Sequence, residues 1–554
     1  MLKIEFFSRL FNIYRSLKLY FTSDKIRIGI ISICIVNFVY LVVTAPYGSL
    51  TWDEGIHVMP SIMVFDYFSS IMNDISVITP SKTIQFFRNY QRSYWINSTV
   101  LFFYPPLYWI LTAFVIPFLG INNYSVRFVS ILSIFFLGII TYELGKLFHS
   151  QRAGVIAFLL TMFFYEVLQL GVSALLDAPL TTLSLFATYY FWGAHKKGVS
   201  WYNRTGIFLG LALLMKQSAI IMLFIFILAE ISLLGLTKTT AKNIIRILGF
   251  ASVVAGPWYL FILLNAPYYL IAIWTVNIHQ TIGPPLTNLS AWYHYGILLF
   301  RSVGISIGVL IFLGIAWGLF RRNENNNFLL LFVSIILMFF TISMNKQFRY
   351  ILPCIPILFL YVGIGIDHAT NAVIKGLSKY RLGIYQKKWQ YIVFFLIFFF
   401  SFTEFLSINY PSITKLTNRP SLPLEEAAQY VAEHTPLNTN YKYRVLQIGR
   451  DNYFSPSAFS FYIMKYDRDH RIEILNPHSI ESLKMNSNSI NSFVQREMIY
   501  FIIFAIREGR EFNTPEGIED YFLHYILSNM ETYIIEKVFE GYLWIHICHP
   551  IIVE

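Results

Sequence analysis

The chain has 554 residues, 56% of them hydrophobic and only 13% charged, with a net charge of +11. That balance excludes an ordinary soluble globular protein, and repeated apolar runs of roughly 18 or more residues define a polytopic helical membrane protein. The cationic excess would suit nucleic acid, but its distribution follows membrane topology, and three well-separated cysteines (Cys34, Cys354, Cys548) offer neither a disulfide framework nor a metal cluster.

Residues 1–25 alternate cations with Phe, Leu and Tyr and read as an interfacial amphipathic helix on the cytoplasmic leaflet. The first apolar run has bilayer length and no small-residue cleavage site, so it reads as an anchor. Eleven spans are expected at about 27–45, 125–147, 152–171, 178–194, 204–216, 218–236, 244–265, 296–319, 327–344, 348–367 and 390–408. Within the pair 204–216 and 218–236, Lys216 favours a break at the outer surface. The segments this map assigns to the cytoplasm hold half of the 42 Lys and Arg, which orients the N-terminus inward. Residues 105–119 are short for a crossing, and counting them as one would put Lys146 and Arg152 outside. They read instead as a helix lying in the outer interface.

From about residue 410 the composition becomes that of a soluble unit. An apolar-periodic helix at 424–434, β-rich runs at 443–448 and 499–506, and a hairpin signal at Glu540-Gly541 predict a small C-terminal α/β domain. Three regions are expected: 1–25, a transmembrane catalytic domain over 26–409 with outer loop 46–124, and an extracytoplasmic domain over 410–554.

This topology brings costly polar residues to one leaflet. Thr51-Trp52-Asp53-Glu54 follows the first span. Thr51-x-x-Glu54 fits a capping box, which explains Glu54 without chemistry but does not require Asp53. Asp177 sits in an outer turn, where it could also N-cap the fourth span. Lys216 interrupts an apolar run. Arg301 lies about one turn into the eighth span, and Lys346 and Arg349 bracket the turn before Tyr350. Arg301 and Arg349 could instead snorkel to lipid phosphate. Ionisable groups at membrane depth face a cavity or a partner, and acids with cations at one level suit a lipid with an anionic head group. Glu54-x-x-His57 has helical i,i+3 spacing that could bind a divalent metal, though two ligands do not fix one. His279 and His294 are weaker candidates of the same kind.

Read in order, the carboxylate pair, Tyr104-Pro105-Pro106-Leu107-Tyr108-Trp109, Asp177-Ala178-Pro179-Leu180, Leu213-Leu214-Met215-Lys216 and Arg349-Tyr350-Ile351-Leu352-Pro353 resemble the GT-C-type membrane glycosyltransferases. The resemblance covers roughly residues 26–370 and is strongest to the lipid A aminoarabinose transferases and protein O-mannosyltransferases. It implies a polyprenyl-phosphate sugar donor used on the extracytoplasmic face, with the first-loop Asp at the catalytic centre. In the aminoarabinose branch a Glu-Lys pair precedes Pro-Pro-Leu; here Phe103 and Tyr104 stand there.

The expected function is an inverting glycosyl transfer to a lipid, glycan or protein acceptor in the cytoplasmic (inner) membrane. Asp53 is the expected general base. Glu54 orients the acceptor or caps the helix, and Asp177 positions a cation or the sugar. Lys216, Lys346, Arg349, Tyr350 and Arg301 are the candidate donor-phosphate contacts, with Tyr104, Pro105 and Pro106 at the interface. A transporter or flippase of a lipid-linked or anionic substrate is the rival reading, and a scaffold whose outer domain binds partners is a third.

Overall fold

The structure is a computed structural model. It describes residues 25–79, 81–83, 85–87, 104–265, 267, 283–321, 323–378, 386–436, 443–448, 454–467, 471–475, 493–494, 499–506, 526, 528, 533–540 and 544–550. The expected cytoplasmic helix at 1–25 therefore lies outside the described residues except for Lys25, and so does His279.

Helix α1 (Lys25–Thr44) is followed by α2 (Trp52–Asn73) and the short α3 (Leu107–Leu119). A bundle comes next: α4 (Asn123–Phe148), α5 (Gln151–Met162), α6 (Tyr165–Gly171), α7 (Asp177–Lys197), α8 (Ser200–Met215), α9 (Ile220–Leu234) and α10 (Lys238–Asn265). It continues with α11 (Ser290–Val303), α12 (Ile305–Phe320), α13 (Glu324–Ile342), α14 (Ile355–Ser378) and α15 (Gln386–Thr414). A 3-10 helix at Phe348–Cys354 leads into α14.

A helix forms at every expected span. Among the described residues, seven helices are by themselves long and apolar enough to cross a membrane, and eight if α5 and α6, bent by 61° at a short break, act as one. The other helices are shorter or more polar for physical causes. Helix α7 opens on Asp177 and carries several hydroxyl groups, yet it is buried along most of its length, so it need not be apolar for lipid. Helix α8 is 16 residues long and stops at Lys216, whose backbone is extended (φ −158°, ψ 136°). The expected span 296–319 is broken by Gly304, whose φ of +86° suits glycine alone. There the Glu404 carboxylate of α15 accepts the freed amides of Ile305 and Ser306, each at 2.9 Å, and so caps α12.

After α15 come α16 (Leu424–His434), β1 (Tyr443–Ile448), α17 (Pro456–Tyr466), β2 (Ile472–Leu475), β3 (Ile499–Ile506), β4 (Tyr533–Phe539) and β5 (Trp544–Pro550). The five strands form one sheet in the order β2-β1-β3-β5-β4. The first three are parallel, and β5 pairs antiparallel with both β3 and β4. Side chains alternate across it. Val445, Phe501 and Ile503 join a core shared with α2, α3, α16 and α17, while Leu446, Ile502 and Phe504 pack on the other face. Helices α2 and α3 and the C-terminal α/β unit thus bury one hydrophobic core. Gly55 permits the contact, since a Cβ there would lie 2.5 Å from the Ala458 amide nitrogen. Residues 46–79 and the C-terminal unit therefore share one end of the bundle.

Candidate active site

The site is built from the N-terminus of α2. Thr51 is its N-cap and Glu54 its N3 residue, and both bonds of the capping box form: Thr51 N–H to Glu54 Oε2 at 3.0 Å and Glu54 N–H to Thr51 Oγ1 at 3.3 Å. Glu54 is wholly buried and does more than cap. Its Oε1 accepts from Arg127 Nε at 3.0 Å and from the Ala174 amide at 2.9 Å, and Arg419 lies 3.6 Å from Oε2. Arg127, equally buried on α4, also donates to the carbonyls of Ala45, Tyr47, Gly48 and Ser49. Burial by itself would raise the Glu54 pKa. The charges of Arg127 and then Arg419 overcome it, and hold the carboxyl down at about 2. The Glu54 carboxylate faces Arg127 and is fully buried.

Asp53 points elsewhere. Its Oδ2 accepts from Arg349 Nη2 at 2.6 Å, and its side chain remains 45% exposed. Arg349 Nε lies 3.9 Å from Asp177 Oδ2, and Lys216 Nζ donates to Asp177 Oδ1 at 2.7 Å. The four charges alternate as Asp53, Arg349, Asp177, Lys216. They come from α2, the 3-10 helix before α14, the start of α7 and the break after α8. Asp177 is buried and makes no side-chain cap bond, so the N-cap reading is replaced by an ion-pair role. Both cations lie over the Tyr350 ring, Lys216 at 4.7 Å and Arg349 at 5.5 Å, and that ring stacks on Phe340.

On the same side of α2 the His57 ring meets the Tyr104 ring edge-on, 4.5 Å between centroids. Burial lowers the His57 pKa to about 4. Asp53 opposes that shift, while Lys216 and Arg349 add to it, so the imidazole is neutral at physiological pH. Tyr104 is pushed above its usual value, first by burial and then by Asp53. Pro105 is buried beside it, and Pro106 is the N-cap of α3. Asp53 opens on its other side into a cleft of about 570 Å³, lined among others by Glu166, Gln169, Arg349, Asn418 and Arg419.

Two expected phosphate contacts lie outside this array. Lys346 is buried and gives Nζ to the Ser343 carbonyl at 2.6 Å, closing the end of α13. Arg301 is exposed in the last turn of α11 because Gly304 ends that helix early. No group of three or more His, Cys, Asp or Glu among the described residues is placed to hold a metal, and Glu54 is committed to Arg127. Sequence reasoning missed Arg127 and Arg419. The signal for Arg127 was present: a lone cation in an apolar helix opposite a carboxylate pair. Arg419 had none, since it lies just past the last span in an ordinary polar stretch.

With the geometry in place, the fold is that of two solved membrane proteins. ArnT from Cupriavidus metallidurans bound to undecaprenyl phosphate superposes with a TM-score of 0.61 at 13% identity, covering 94% of this chain and 98% of that one. The oligosaccharyltransferase of Archaeoglobus fulgidus gives 0.53 at 14% identity, covering 88% and 70%. In sequence the chain is similar to arabinosyl transferases. It is 24% identical over 312 residues to the undecaprenyl phosphate-α-4-amino-4-deoxy-L-arabinose arabinosyl transferase of Photorhabdus laumondii, over 52% of this chain and 51% of that one. A Proteus mirabilis arabinosyl transferase matches at 25% over 49% and 50%. The chain spans about half the length of the curated relatives it matches. A family model described as dolichyl-phosphate-mannose-protein mannosyltransferase matches residues 104–261.

Proposed function

We propose that this protein is an integral membrane glycosyltransferase that moves a sugar from a polyprenyl-phosphate donor to a lipid, glycan or protein acceptor on the extracytoplasmic face. The observation that carries the reading is the alternating array: a half-exposed carboxylate, Asp53, held against a cation pair by Arg349 at 2.6 Å. Its division into a membrane-embedded catalytic domain over 26–409 and an extracytoplasmic domain over 410–554 follows the same reading.

Transfer is inverting. The acceptor oxygen or nitrogen attacks the anomeric carbon and gives its proton to Asp53. The bond from the anomeric carbon to the phosphate oxygen breaks, and the lipid phosphate leaves with the electron pair. Lys216 and Arg349 face the growing negative charge, assisted by the Tyr350 hydroxyl, and cations preorganised in a site poor in water stabilise such charge strongly. Asp177 holds both cations in place. The Lys346 and Arg301 contacts are dropped from this scheme for the positions given above. A positioned base contributes about 10²–10⁴-fold.

A transporter would need its charges along a path through the bundle. Here Asp177 opens α7 and Lys216 follows the end of α8, so the array sits at helix ends. The test is sugar transfer by the purified protein from polyprenyl-phosphate-linked sugars to envelope lipids, glycans and proteins, read by mass spectrometry. Lipid movement without any change in covalent products supports the transporter instead.

A further inference from the structure

Inverting transfer keeps the nucleophile and its base on the face of the sugar opposite the leaving group. The surroundings of Asp53 divide in that way. On one flank Arg349 joins it to Asp177, Lys216 and the Tyr350 ring. On the other lies the cleft of about 570 Å³, which Asp53 and Arg349 line and which, among the described residues, Lys216, Asp177 and Tyr350 do not. Its volume falls within the range of small-molecule sites, about 300–1,000 Å³.

The lining of this cleft is unlike a phosphate site. Arg349 is committed to Asp53, and Arg419 donates to the Val172 carbonyl and faces Glu54. The side chains of Glu166, Gln169 and Gln347, by contrast, have no hydrogen-bond or ion-pair partner among the described residues. Glu166 and Gln169 stand three residues apart on α6 and so share one face of it. An ionised carboxylate only accepts hydrogen bonds, whereas a carboxamide both gives and accepts. Together they match the neighbouring hydroxyls or the amine of a saccharide, and the carboxylate repels a phosphate. Lys415 also lines the cleft, but it is exposed and its charge is screened.

We propose that the cleft beside Asp53 receives the acceptor, that the acceptor is an unphosphorylated saccharide unit, and that Glu166 and Gln169 orient it toward Asp53. This rests on the glycosyltransferase reading above and narrows its acceptor from lipid, glycan or protein to the hydroxyl or amine of a sugar. Glu166 is a positioning residue in this scheme and Asp53 remains the base. An acid in the first turn of α6 also suits the helix dipole, a role that makes no demand on a ligand.

The test reads occupancy of the cleft in the full-length protein in nanodiscs. Asn418→Cys places a reporter at an exposed position of the lining, and the native cysteines are buried. Its rate of labelling by a maleimide is measured against octyl β-glucoside, octyl β-glucosaminide, octyl β-glucoside 6-phosphate and an octanoylated Ser-Thr peptide, all below micelle-forming concentrations. The two unphosphorylated saccharides should slow labelling at concentrations about tenfold lower than the other two probes. Adding Glu166→Gln should raise those concentrations about tenfold and erase the discrimination against the phosphate, whereas Gln169→Ala should weaken saccharide binding and keep that discrimination. Both should leave the Kd for undecaprenyl phosphate within about twofold and the melting temperature unchanged. The inference is overturned if neither saccharide protects the reporter, if the phosphate or the peptide protects as well as they do, or if Glu166→Gln leaves saccharide binding as it was. Protection by saccharide without sugar transfer from any polyprenyl-phosphate donor would instead sink the glycosyltransferase reading and leave the cleft as a saccharide site.

Discussion

Asp53 and Arg349 stand 296 positions apart in the chain and meet at 2.6 Å. The pair joins the first turn of α2 to the 3-10 helix that leads into α14, and only one oxygen of Asp53 is used. Oδ1 has no hydrogen-bond partner among the described residues, and Asp53 lines the cleft. A charge-assisted bond on one oxygen orients the carboxylate while leaving the other for a proton.

Asp53→Asn keeps that shape and removes the basicity. Transfer from a polyprenyl-phosphate donor should fall by about two to four orders of magnitude, with normal membrane insertion. If Asp53 only supported the helix, Asn would cost about 0.3–1 kcal/mol of dipole interaction and leave turnover near normal. A near-normal rate with purified variant would refute the base assignment.

Glu54→Gln tests the neighbouring carboxylate and should fail differently. A capping box alone accepts Gln, but Gln leaves Arg127 buried beside an uncharged partner. Breaking a buried pair from one side costs about 3–5 kcal/mol, so the variant should melt well below wild type in detergent. Arg127→Met should be similarly damaging. An unchanged melting temperature in both would show that the pair contributes little.

The same pair sets an acid limit. The Glu54 carboxyl, ordinarily near 4.5, is held at about 2 in the folded protein, while the unfolded chain keeps the ordinary value. A lowered folded-state pKa adds stability that is fully present above about pH 4.5 and is lost as pH falls toward 2. The full shift corresponds to about 3 kcal/mol. Thermal unfolding between pH 6 and pH 3 should show this loss, and the Glu54→Gln background should flatten it. Equal acid sensitivity in the two proteins would place the titrating group elsewhere.

Lys216→Met should weaken binding of undecaprenyl phosphate by about 1.5–3 kcal/mol, roughly ten- to hundredfold in Kd. The fold should survive, because Arg349 remains beside Asp177. Arg301→Met, at an exposed position off the array, should leave the Kd unchanged. Equal effects of the two substitutions would remove Lys216 from the phosphate site.

Met72→Cys on α2 and Gln429→Cys on α16 place reporters at exposed positions of α2 and the C-terminal unit. In intact cells an impermeant maleimide should label both and should spare Leu236→Cys, an exposed position between α9 and α10. The three native cysteines are buried and give a low background. Labelling of Leu236→Cys with protection of the other two would invert the proposed orientation.

Much of this was legible in the chain itself. Apolar runs locate helices because the bilayer sets their length, and Lys216 marked a helix break because a cation in an apolar run is costly to continue through. The helix at Leu424–His434 and the strands at 443–448 and 499–506 were readable from local periodicity. Local signals also stated two roles for Glu54, the capping box and chemistry, without choosing between them. That choice belonged to Arg127, which reaches Glu54 from another helix 73 positions away. Tertiary structure likewise decided that Asp177 pairs with Lys216, and that Lys346 and Arg301 stay outside the array. It also made helices as polar as α7 part of the bundle, since burial by neighbours removes the need for an apolar surface. Pairings between distant residues depend on how helices pack against one another, and no spacing along the chain encodes that distance.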